Sequence, residues 1–235
     1  MRKFILMDPD TVEHSNLNRL VGATGNDIGR SKVETIAEAI RTIVPSGSIT
    51  VLQESVLQDS SARKLLSADF LFCCTDSHGS RAVINQLAYQ YFLPTIDMGV
   101  ALATVRGSVI HISGRVEMLS PGLGCLTCGE LLDASEVRRD FLTTEERDAD
   151  PYFLGPGVPQ PAVISFNTTV SSLAVTMFIA SVTPLPSTPR FLRYDGLTGR
   201  TKTVEHPPRF GCVVCSTKGA LGRGDLWPLP TRHSP

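Results

Sequence analysis

Two Cys-x-x-Cys pairs, Cys125/Cys128 and Cys212/Cys215, stand far apart in this chain. Small residues flank them, in Gly124-Cys125-Leu126-Thr127-Cys128-Gly129 and Gly211-Cys212-Val213-Val214-Cys215. One such pair alone suits a redox site. Two supply four soft ligands, the number a closed tetrahedral Zn²⁺ site takes. A structural zinc held by Cys125, Cys128, Cys212 and Cys215 obliges the two knuckles to meet, so the distant second knuckle is expected to return to the edge of whatever sheet the first one follows. No further ligand candidate stands beside them, so the metal is expected to staple and not to catalyse.

The sequence before the first knuckle alternates strand and helix patterns. Phe4-Ile5-Leu6-Met7 is a short apolar run that stops at Asp8. A helix is expected from about Ser31 to Val44, where Val33, Ile36, Ala37, Ile40 and Ile43 recur at helical spacing. Ser48 to Gln53 alternates as a strand, and Ser60 to Leu66 reads as a short helix. Asp69-Phe70-Leu71-Phe72-Cys73-Cys74 is nearly continuous apolar sequence, typical of a strand buried on both faces. It ends at Thr75-Asp76-Ser77, and a helix follows from roughly Ser80 to Tyr91. Residues 94–100 form another strand. Thr104 to Ile112 and Arg115 to Met118 read as a hairpin turning at Ser113-Gly114. The expected architecture is α/β: a Rossmann-like doubly wound sheet, parallel in its first half and antiparallel after. Residues 1–120 form its nucleotide-binding part. Residues 121–235, with the zinc knuckles, an irregular stretch over 131–161, an apolar helix over 161–182 and a surface-lying tail, pack with it as one unit.

Composition narrows the function classes. The 235 residues are 42% hydrophobic and 19% charged, an ordinary globular balance. A net charge of −1 and 6% aromatics argue against a nucleic-acid surface or a base-stacking platform. Six cysteines in a chain of this size are no disulfide framework, and no leader-like segment opens it. A reducing cytoplasm is the expected compartment. The stretch from Pro161 to Pro189 carries no charge, yet Asn167, Thr168, Thr169, Ser171 and Ser172 are too polar a cluster for a membrane span. A core or dimer-interface helix is expected.

Acidic residues at strand ends point to a ligand site, because ligands in open α/β sheets sit beyond the carboxyl ends of the strands. Asp8 could hold a ribose hydroxyl, with Asn16 and Arg19 on phosphate oxygens; Asp8 and Asn16 equally suit the capping of a turn. Asp76 could hold Mg²⁺ bridged to phosphates, or cap the following helix, a task open to Ser77 as well. Lys32, in the first turn of its helix, opposes the helix dipole and calls for a compensating anion.

The run Asp8-Pro9-Asp10-Thr11-Val12-Glu13-His14-Ser15-Asn16-Leu17-Asn18-Arg19 resembles the signature of the ubiquitin-activating-enzyme-like adenylating family. That family includes the ThiF/MoeB-type adenylyltransferases of thiamine and molybdopterin synthesis. The likeness continues through Gly29-Arg30-Ser31-Lys32, Cys74-Thr75-Asp76, Arg81 and both knuckles, in the family's order. It implies ATP-dependent adenylation of the C-terminal carboxylate of a ubiquitin-like or sulfur-carrier protein by a homodimer. In that reading Asp8 holds the ribose, Asn16 and Arg19 contact phosphates, Lys32 stabilises developing charge and Asp76 holds Mg²⁺, with ATP, Mg²⁺ and structural Zn²⁺ as cofactors.

The sequence departs from the family twice. The strand and Gly-x-Gly-Gly-x-Gly loop that come first in the family are not present, so the chain is expected to begin at the family's second strand, as part of a longer protein. No cysteine lies between Cys128 and Cys212, and Cys73 and Cys74 belong to the buried strand, so thioester formation is not expected. The alternative is a catalytically incomplete zinc scaffold that binds a ubiquitin-like protein or a partner subunit. A nicotinamide dehydrogenase lacks its glycine fingerprint here, and His14 and His78 read as loop residues.

Overall fold

A computed structural model describes residues 2–149, 162–186 and 189–232. The described elements form a mixed α/β fold with parallel and antiparallel pairing. Strand β1 (Lys3–Met7) pairs parallel with β2 (Ser48–Leu52), and helix α1 (Lys32–Ile43) connects them. Val33 and Ala37 of α1 are buried as its periodicity requires, whereas Ile43 ends the helix in solvent. After α2 (Asp59–Lys64), strand β3 (Leu71–Cys73) pairs parallel with β4 (Thr95–Val105) across helix α3 (His78–Gln90). Strands β5 (Ser108–Leu119), β6 (Phe191–Asp195) and β7 (Arg200–Thr203) then add in antiparallel order.

The expected single sheet is divided. β1 pairs only with β2, and β3 has only β4, so among the described residues each keeps one edge without a strand neighbour. Both nevertheless rest on one apolar cluster: Ile5, Met7 and Leu71 pack against Val83 and Leu87 of α3 and Ala62 of α2.

Three expectations are corrected. The hairpin does not turn at Ser113-Gly114. It turns at Arg106-Gly107, both with positive φ (50° and 79°), the backbone that a two-residue hairpin needs. Gly114 lies inside β5 opposite Val100 and Tyr194, where a Cβ would collide with Val170 of helix α6 (Ile164–Val182). Within residues 131–161, helices α4 (Ala134–Phe141) and α5 (Thr144–Ala149) stand where irregular chain was expected; the Gly155–Pro159 loop and Pro161 lie outside the described residues. The tail is a strap packed into the fold: Leu229 is buried, and Gln86 and Gln90 of α3 donate to the carbonyls of Pro228, Gly224 and Trp227.

Strand alternation divides the antiparallel sheet into two chemically different faces. Ile96, Met98, Val116 and Met118 pack under Val170, Ala174 and Met177 of α6. The opposite face carries Asp97, Gly99, Arg115, Glu117 and Arg193 in adjacent registers, covered by α3. Only one side of α6 is buried; Ile164, Val175, Ile179 and Val182 remain exposed.

Candidate active site

The acidic loop after β1 folds back along its own continuation. Val12 N–H donates to Arg30 O, Gly29 N–H to Val12 O and Lys32 N–H to Asp10 O, at 2.8, 2.8 and 3.0 Å. Gly29 has φ of +86°, which lets the chain turn there without a strained side chain. This pairing places Lys32 Nζ 2.6 Å from Asp10 Oδ2. The anion expected near Lys32 is therefore Asp10, a residue the sequence reading did not single out.

Asp8 stands at the end of β1, half-buried, and accepts from Asp10 N–H at 2.8 Å. Its pKa is raised: desolvation is the main cause, repulsion from Asp10 and Asp76 adds to it, and the Asp10 N–H and Lys32 oppose it. Asp76 is exposed beyond the end of β3. Asp10 thus links Lys32 to Asp8 beyond the end of β1, and Asp76, beyond the end of β3, lies near enough to Asp8 to help raise its pKa.

Asn16 and Arg19 are engaged elsewhere. Asn16 is buried and its Oδ1 accepts from Glu13 N–H at 3.1 Å, capping a short 3₁₀ turn over His14–Asn16. Arg19 Nη1 donates to Ser15 O at 2.6 Å. Among the described residues neither makes a hydrogen bond or ion pair with Asp8, Lys32 or Asp76. The capping of α3 falls to Ser77, whose Oγ accepts from Ser80 N–H at 3.1 Å, and leaves Asp76 unengaged by the helix.

Arg81 is not a surface residue. Its Nε lies 3.3 Å from Asp97 Oδ1 and its Nη2 donates to Met98 O. Arg115 Nη2 stands 2.7 Å from Asp97 Oδ2. Asp97 is fully buried; desolvation raises its pKa, and Arg115 and Arg81 oppose the shift. Next to it Glu117, 2.9 Å from His206 Nε2, is pushed up to about 8, chiefly by burial. The readable signal for this cluster was three charged residues on otherwise largely apolar strands, Asp97 on β4 and Arg115 and Glu117 two positions apart on β5.

Cys73 is buried as expected, but Cys74 is exposed where β3 ends. Burial of part of the residue, then the Asp97 carboxylate, push its thiol up to about 11.

Cys125, Cys128, Cys212 and Cys215 are all buried, with their sulfurs within 4.8 Å of one another. Neighbouring sulfurs are 3.7, 3.6 and 3.4 Å apart, too far for disulfides and close to the ~3.8 Å edge of a tetrahedron with Zn–S near 2.3 Å. Arg209 N–H donates to Cys128 Sγ at 3.2 Å, a contact that favours thiolate. The donor set fits a metal ion.

The ThiF family matches residues 1–214. The chain belongs to the ThiF family. Among ThiF relatives, the sulfur carrier protein ThiS adenylyltransferase of Escherichia coli (strain K12) is 25% identical over 218 residues, covering 92% of this chain and 77% of that protein. Ubiquitin-like modifier-activating enzyme 5 of Aedes aegypti is 29% identical over 147 residues, covering 57% of this chain. This chain spans 35% of the length of that enzyme. The crystal structure of E. coli MccB with MccA-N7isoASN superposes with a TM-score of 0.69 at 17% identity, over 92% of this chain and 60% of MccB. MccB with ATP gives 0.64 at 18% identity, again over 92% of this chain and over 59% of MccB, a likeness of fold.

Proposed function

We propose that this chain is the nucleotide-binding part of an ATP-dependent adenylyltransferase that activates the C-terminal carboxylate of a sulfur-carrier or ubiquitin-like protein. The observation that supports the reading is the Asp8–Asp10–Lys32 cluster beyond the end of β1, with Asp76 close enough to act on Asp8 electrostatically. Asp8 would hold the ribose. Asp76 would hold Mg²⁺ against the phosphates, since Mg²⁺ is bound by one or two carboxylates and phosphate oxygens. Lys32 would leave Asp10 to neutralise charge developing at the α-phosphorus, where the carboxylate oxygen adds and pyrophosphate departs. Asn16 and Arg19 would have to give up their loop contacts to reach phosphates, so they would shape the loop first and contact phosphate second.

The open edges of β1 and β3 support a further element of the same reading. Strands in a sheet lie about 4.8 Å apart. One more parallel strand between β1 and β3 would join the two sheets, and its following loop would emerge between Asp8 and Asp76. A Gly-rich loop there would present backbone N–H groups to the phosphates. The four cysteines would hold a structural Zn²⁺, which suits a reducing cytoplasm where thiols persist. The exposed apolar side of α6 would face a second copy of the chain.

The divided sheet and the engaged Lys32 and Arg19 also suit a second reading, a zinc-stapled scaffold that binds a carrier protein or an active subunit without turnover. ATP–pyrophosphate exchange by the full-length protein with a ThiS-type carrier separates the two. Exchange is expected, and Lys32→Ala should reduce it about 100-fold, as loss of one transition-state cation does. No exchange above background would favour the scaffold.

A further inference from the structure

A hollow of about 160 Å³ opens on the α3 face of the antiparallel sheet, away from α6. Arg81, Arg115 and Arg193 line it together with Gly99 and Ser113. Three independent elements contribute these guanidinium groups: α3, β5 and β6. Arg81 and Arg115 are deeply set, with side chains 12% and 14% exposed. Arg81 Nε and Arg115 Nη2 are buried against the carboxylate of Asp97, at 3.3 and 2.7 Å, which fixes both guanidinium groups in place. Arg193 has neither a hydrogen bond nor an ion pair for its guanidinium among the described residues. Gly99 leaves room for the Arg81 guanidinium, which a Cβ there would displace.

We propose that this arginine hollow is a binding site for one small oxyanion group, a carboxylate or a phosphate. Guanidinium forks match the paired oxygens of both. Size decides what else can enter. Pockets for drug-sized molecules run from about 300 Å³ upward, so the hollow takes a charged terminus and not a nucleoside. Arg81 stands in the first turn of α3, five residues after Asp76, so an anion held there lies near the end of β3. The proposal rests on the adenylation reading only in naming the owner of the group: the acyl substrate's C-terminal carboxylate, or a phosphate of the nucleotide.

Chemical-shift titration of the ¹⁵N-labelled chain tests it with three probes: N-acetyl-tetraglycine, its C-terminal amide and inorganic phosphate. The free acid or phosphate is expected to move the amides of Val100, Ala101 and Ser113 saturably. The peptide amide should bind at least about tenfold more weakly, the scale of a charge-assisted hydrogen bond. Arg193→Ala, at an exposed position outside the ion pairs, should weaken the anion about tenfold with the rest of the spectrum unchanged. Arg115→Gln, which keeps a donor near Asp97, should do the same. Tighter binding of the acid than of phosphate assigns the acyl substrate, and the reverse order assigns the nucleotide. Equal binding of acid and amide, no saturable shift at those amides, or unchanged affinity in Arg193→Ala overturns the proposal. Loss of ATP binding with anion binding intact would sink the adenylation reading and leave the hollow standing.

Discussion

At the scale of single residues, Asp8 carries the tension in the site. Its carboxylate is partly desolvated and has Asp10 and Asp76 as like-charged neighbours. Its folded pKa therefore exceeds its ordinary value of 3.8, and the native state holds the proton to higher pH than the unfolded chain does. The sign follows: stability contributed at low pH is lost as pH rises through the window between the ordinary and the raised value. Asp8→Asn should raise the thermal midpoint near neutral pH by an amount worth roughly 0.5 kcal/mol, a value kept small by solvent screening. The difference from wild type should vanish below about pH 3, where both side chains are neutral. Thermal unfolding of the two proteins across pH measures it; a destabilised Asp8→Asn at neutral pH would contradict the repulsion. Much of this corner was readable: Asp8, Lys32 and Asp76 each sit where a strand end or helix start exposes them. For Asn16 the sequence left capping and phosphate contact both open, because a capping asparagine and a phosphate-binding one have the same sequence neighbours, and the cap is what forms.

Among elements, α4 and the tail hold α3 in place. Asp140 of α4 accepts from Ser77 Oγ and from Gly79 N–H, both at 2.8 Å, so a carboxylate sits on the positive end of α3 one residue beyond Asp76–Ser77. Arg232 fastens the end of α4 in turn, donating to the carbonyls of Asp140, Phe141 and Leu142 at 2.6, 2.8 and 2.8 Å. Arg232→Ala leaves three helix-end carbonyls without their donor and should cost about 2 kcal/mol. Hydrogen exchange should quicken in α4 and in the first turn of α3 and stay unchanged in β5; uniform exchange would contradict the strap. None of this was legible locally. Charge density over residues 133–150 masked α4 and α5, and Arg232 acts across 90 residues of chain. The misplaced hairpin has the same origin: Gly114 resembles a turn glycine, but Val170 of a distant helix is what requires it.

At the level of the whole molecule, the four cysteines of the two halves come together, and this was readable because ligand chemistry fixes number and spacing. Zinc analysis should find one ion per chain. Cys212→Ser should lose it and lower stability by about 3 kcal/mol or more, with unfolding no longer sensitive to chelator; retained stability in that variant would remove the staple. The division of the sheet was not readable, since both strands carry complete apolar patterns and only pairing reveals the open edges. The central claim is that one corner at those edges is a magnesium–nucleotide pocket. Calorimetric titration of ATP into the chain, with and without Mg²⁺ and against Asp76→Asn, tests it most directly. Binding that requires Mg²⁺ and is lost in Asp76→Asn is the expected result. Absence of binding, or equal binding in Asp76→Asn and without Mg²⁺, would contradict it.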